Sequence, residues 1–92
     1  MLKVKPVRSS RQERLYAEVA ANRKNCSFNN LVRLLEAYGF EERKKTRSGS
    51  SHVVFKRPGR NPISVPKAKP VKEHYVRDVL ETIDELESEE LS

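Results

Sequence analysis

Apolar positions along this chain change their period twice, and the changes mark out its elements. From about Arg11 to Arg23, Leu15 and Val19 fall four residues apart with Tyr16 and Ala20 beside them. That spacing predicts a helix with a narrow apolar stripe, resting on the edge of a core and ending near Asn22 to Asn25. Ser27 then stands as an N-cap before Phe28, Leu31, Val32, Leu35 and Tyr38, which share one face of a second helix. Gly39 is placed to end that helix in a left-handed residue, which brings Phe40 back against Leu35 as in a Schellman ending.

Beyond Phe40 the period shortens towards two. Phe40 to Thr46 reads as a charged strand, Arg47 to Ser51 as a turn, and His52 to Arg57 as a second strand. Pro58-Gly59-Arg60-Asn61 is a reverse turn, and Ile63 to Val65 is a third strand stopped by Pro66. Strands joined by such short turns pair antiparallel. After a linker over Lys67 to Pro70, a last helix is predicted from about Val71 to Glu87. Its stripe is Val76, Val79, Leu80, Ile83 and Leu86.

The expected fold class is therefore α+β, in the order α-β-β-β-α. It has a three-stranded antiparallel sheet, two helices on one face and an extra N-terminal helix. Alternation turns Val53, Phe55, Ile63 and Val65 towards the helices and leaves His52, Val54, Lys56 and Ser64 on the open face. The boundaries expected are a basic arm and extra helix over 1–25, a domain over 26–87 and an acidic tail over 88–92.

Composition limits what such a chain can be. With 92 residues, 36% hydrophobic and 35% charged, there is material for one small core. No run approaches the roughly 20 apolar residues of a membrane span. Met1 to Ser10 is charged with no apolar stretch behind it, so no secretory leader is expected and a cytoplasmic location is. The single cysteine, Cys26, can form neither an internal disulfide nor a metal site alone. Its place beside an N-cap could lower its thiol pKa, but no partner motif accompanies it. No cofactor, metal or membrane partner is implied.

Charge is unevenly distributed. Residues 1–72 carry 18 basic and 5 acidic side chains, whereas residues 73–92 carry 1 and 8. Arg43 to Lys72 holds ten basic residues and no acid. Such a stretch concentrates a field that phosphates would feel, and nucleic acid is the first candidate partner. The acids from Asp84 to Glu90 either solubilise the chain or compete for the basic face.

Several pieces, taken in order, resemble the HicA toxins of toxin–antitoxin systems. These are Phe28-Asn29-Asn30-Leu31-Val32-Arg33-Leu34-Leu35-Glu36, Tyr38-Gly39-Phe40, Ser51-His52-Val53-Val54-Phe55, Lys67-Ala68-Lys69-Pro70, and Val76-Arg77-Asp78-Val79-Leu80. The resemblance covers roughly Arg23 to Glu87. It implies a double-stranded-RNA-binding-like fold and a small ribonuclease that cleaves mRNA, an mRNA interferase, with one catalytic histidine, here His52. It also implies a HicB-like antitoxin that blocks that histidine. One departure is visible: Gly49-Ser50-Ser51-His52 has one residue more than the family's consecutive Gly, Ser and His.

Cutting RNA without a metal requires proton transfer at a 2′-hydroxyl or at the leaving oxygen, and histidine suits either near neutral pH. Lys45, Arg47, Lys56 and Lys69 are candidates to offset charge building on the phosphate, with Lys67 as a further RNA contact. Backbone amides of Gly49, Ser50 and Ser51 could hold phosphate oxygens. His74 reads as a surface residue. Two other functions fit the same residues. The same fold could bind RNA without cutting it, or the acidic tail could dock a basic protein.

Overall fold

The computed structural model describes residues 8–43 and 52–91. The expected turn at Arg47 to Ser51 and most of the basic arm lie outside those residues.

Helix α1 spans Ser10–Ala21 and opens with a capping box: the Gln12 amide donates to Ser9 Oγ, and the Ser9 amide donates to Gln12 Oε1. The signal Ser-x-x-Gln is present in the sequence. A 3₁₀ turn over Arg23–Asn25 closes this part of the chain. Helix α2, Phe28–Ala37, is capped by Ser27 Oγ, which accepts from the Asn30 amide. Its other end is the expected Schellman motif. Gly39 has φ +89°, its N–H donates to Glu36 O, and the Phe40 N–H donates to Leu35 O, both at 3.0 Å. The Gln12 side chain reaches across to donate to Ala37 O, which satisfies another terminal carbonyl and joins α1 to α2.

The sheet is antiparallel in the order β1-β2-β3, with β1 at Glu41–Glu42, β2 at His52–Lys56 and β3 at Ile63–Pro66. Within the described residues the first strand is Glu41–Glu42, and Phe40 sits in the core ahead of it rather than in the ladder. One further bond, Arg43 N–H to Val54 O, continues the pairing; residues 44–46 lie outside the described residues. Pro66 closes β3 as its own last residue, opposite His52. It fits there because β3 is an edge strand, where a missing N–H costs nothing in the ladder.

The last helix, α3, covers Glu73–Leu91 rather than 71–87. Val71 lies before it, buried in the core, with its N–H donated to Cys26 O. Val53, Phe55 and Val65 are buried in one cluster with Leu31, Leu34 and Leu35 of α2 and Val76, Val79 and Ile83 of α3. The Phe28 and Phe55 rings meet at 6.4 Å between centroids. His52, Lys56 and Ser64 are exposed, so one sheet face is covered and the other is open.

Leu15 and Val19 anchor α1 on this core. Polar contacts secure it to α3: Tyr16 donates to Asp84 Oδ1 at 2.7 Å, and Arg8 pairs with Glu87 while its guanidinium covers the Tyr16 ring at 3.9 Å. Tyr38 also donates to Glu87, at 2.6 Å. Burial alone would raise the Glu87 carboxyl, but the hydrogen bonds from Arg8 and Tyr38, with the Arg8 charge, outweigh it and hold it below its ordinary value. Burial, and then the hydrogen bond to Glu87, pushes the Tyr38 phenol up.

Candidate functional site

His52 opens β2. The four residues that follow alternate between core and surface, with Val53 and Phe55 buried, Val54 half-buried and Lys56 exposed. That alternation fixes the strand's face and holds His52 at the open side of the ladder, opposite Pro66.

The first turn of α3 comes to this end of β2. Tyr75 Oη lies 3.4 Å from His52 Nε2, and the two rings meet edge-on at 6.1 Å between centroids and 65°. Tyr75 is half-buried and packs on the core, so one end of its ring is anchored and the other faces the histidine. His74 is exposed as expected. Its ring nevertheless pairs with Tyr75 at 4.1 Å and 35°. Nothing in the spacing of the sequence relates Tyr75 to His52, since 23 residues separate them.

The basic residues divide by position. Lys67 follows Pro66, the register partner of His52, so the chain carries it to the histidine end of the sheet. Lys69 follows two residues later and is exposed. Lys56 is four residues along β2, roughly 13 Å away at the usual strand rise, directly opposite Glu41. It shares the face of His52 but stands at the other end, beside a carboxylate. Lys45, Arg47, Gly49, Ser50 and Ser51 lie outside the described residues.

Folding also returns acids to a stretch that carries none in sequence. Arg60, in the β2–β3 turn, pairs with Glu85 at 3.3 Å and Glu89 at 2.5 Å on α3. The acidic C-terminal part of α3 therefore neutralises Arg60, and Asp84 and Glu87 meet Arg8. A hollow of about 440 Å³ lined by Gly39, Glu41, Glu42, Arg43, Lys56, Arg57 and Pro58 lies at the Lys56 end. His52 is not among its lining residues, and its mixed charges favour no single ligand.

Cys26 is buried, and burial pushes its thiol up rather than down. The N-cap beside it does not activate it. Among the described residues, no group of three or more His, Cys, Asp or Glu converges as a metal site, and no helix is long and apolar enough to cross a membrane.

A three-stranded antiparallel sheet, open on one face and covered by helices on the other, defines an α+β domain of the double-stranded-RNA-binding type. The family profile described as the HicA toxin of bacterial toxin–antitoxin systems matches residues 28–84, from the first residue of α2 well into α3. The chain belongs to the HicA toxin family, which makes it the toxin of a toxin–antitoxin pair and implies an antitoxin partner. Comparison with curated proteins gives no match, and comparison with solved structures gives none.

Proposed function

We propose that this chain is an endoribonuclease that cleaves mRNA in the cytoplasm, with His52 as its single catalytic histidine. The observation that carries this reading is the exposed place of His52 at the start of β2, on the open face of a HicA-type domain. HicA toxins are ribonuclease-type toxins, and histidine is the side chain whose ordinary pKa leaves both proton states populated near neutrality.

In the reaction proposed, the 2′-oxygen attacks the adjacent phosphorus as it loses its proton. The bond to the 5′-oxygen breaks, and that oxygen gains a proton. The products are a 2′,3′-cyclic phosphate and a 5′-hydroxyl. His52 serves as the base, the acid, or each in turn. Lys67 and Lys69 supply positive charge on the histidine side of the sheet, with Lys45 and Arg47 assigned the same role and the Gly49–Ser51 amides a supporting one. Lys56 contacts RNA further along the strand.

The test is cleavage of single-stranded RNA in the presence of a chelator. The parent protein should cut and yield cyclic-phosphate ends, whereas folded His52→Ala should not. Retained cleavage by His52→Ala would overturn the catalytic assignment. A parent protein that binds RNA but never cuts it would make the domain a binding module.

A HicB-like antitoxin is the proposed inhibitor, and it acts by covering the open sheet face. Carboxylates presented there would match the lysines and speed association. Hydrogen exchange on the complex should show new protection at residues 52–56. Protection confined to α1, with cleavage still blocked, would exclude direct masking of His52.

A further inference from the structure

Two rings at the start of α3 have no task in the chemistry above. Adjacent residues on a helix point about 100° apart, so neighbouring rings do not ordinarily lie against each other. His74 and Tyr75 do so because they occupy the first turn, where no preceding turn crowds them, and their centroids are 4.1 Å apart. Tyr75 is braced by the core. His74 is exposed, although one face of its ring is turned to Tyr75.

The pair also has a defined position. Tyr75 Oη is 3.4 Å from His52 Nε2, which places the His74 ring one side chain away from the catalytic histidine. Lys67, Lys69 and Lys72, all exposed, lie on the segment that joins β3 to this helix. An aromatic surface flanked by cations is the arrangement by which proteins hold unpaired nucleic acid, with the backbone drawn by charge and a base laid on a ring. In a duplex, bases stack on each other and cannot be laid on such a ring.

We propose that His74, backed by Tyr75, is a base-stacking subsite for the unpaired nucleotide next to the phosphate that lies at His52. This rests on the ribonuclease reading of His52 and adds to it a preference for single-stranded substrate. Tyr75 is a positioning residue here: it holds the His74 ring and borders His52.

The probe is a fully 2′-O-methylated single-stranded RNA oligonucleotide containing 2-aminopurine. It lacks the 2′-hydroxyl needed for cleavage, and its fluorescence falls when the base stacks. With the full chain, quenching should accompany binding. His74→Ala should abolish the quenching and weaken binding about tenfold. His74→Phe should restore both, because it returns a ring without an imidazole.

Parent-level quenching and affinity in His74→Ala would overturn the subsite. So would failure of His74→Phe to rescue, since charge or hydrogen bonding would then explain the loss. Cleavage of unmodified RNA is measured in parallel. A parent protein that cleaves but never quenches loses only the subsite. One that quenches but never cleaves keeps the subsite and loses the catalytic role of His52. A parent protein that neither binds nor cleaves overturns both.

Discussion

Arg60 and Glu89 meet at 2.5 Å and join the turn between β2 and β3 to the C-terminal end of α3. Glu85, one helical turn before Glu89, approaches the same guanidinium at 3.3 Å. Like charges four apart on a helix repel, and acids near its C-terminus oppose the helix dipole. Arg60 offsets both effects. Arg60→Ala should therefore fray α3 from Glu85 onward and cost only about 0.5 kcal/mol globally, because both glutamates are well exposed. Hydrogen exchange would report the fraying as lost protection over residues 85–91. Unchanged protection there would show that the helix end holds without the pair.

Acid should loosen the attachment of α1. Glu87 has a carboxyl held below its ordinary value near 4.5, and it accepts from both Arg8 and Tyr38. Its stabilising contribution is complete above that ordinary value and is lost as pH falls through the lower, folded one. Thermal melts of the parent should fall in Tm as the pH is taken from 5 towards 3. Glu87→Gln should be less stable at pH 7, by about 2 kcal/mol, and should show a shallower fall over that window. Parallel pH profiles for the two proteins would rule out Glu87 as the titrating group.

Gly39 should resist substitution for reasons of backbone rather than space. A Cβ added there would meet the Arg57 side chain no closer than 3.5 Å, an ordinary contact, but φ is +89°. Gly39→Ala should cost about 1 kcal/mol in denaturant unfolding, and Gly39→Asn less, since Asn enters the left-handed region more readily. A neutral Gly39→Ala would mean that the chain escapes the Schellman ending by relaxing.

RNA affinity should fall steeply with salt if the open face contacts phosphates. Each phosphate lost from a single-stranded complex lowers the log–log slope by about 0.7. Replacing Lys67 and Lys69 together should flatten the slope by about 1.4. Lys56→Ala should do less, because Glu41 lies opposite it, and Arg60→Ala should do nothing, because its charge is already paired. Titrations at several salt concentrations give these slopes. A slope near zero in the parent protein would remove nucleic acid as a partner.

Local order was legible along the chain because its causes are local. Ser27 as a cap, Gly39 and Phe40 as a Schellman ending, and the period-two run from His52 to Lys56 are decided by residues within a few positions of each other. Those same signals put His52 on the exposed face, because alternation on a half-covered strand leaves one choice of side. The length of α3 was not legible. Residues 88–91 join the helix, and Glu85 and Glu89 meet a cation from the β2–β3 turn, 25 and 29 residues away in sequence. Nor was the approach of Tyr75 to His52 legible. That contact needs the β2–β3 register, the chain from Pro66 to Lys72 and the seating of α3 on the sheet all at once, and no spacing in one strand of text encodes a distance set by packing. The sequence alone determined most of the elements and the face of the sheet that carries His52. Tertiary structure decided its neighbours and which cations remain available to a phosphate, because both depend on which distant side chains the core brings together.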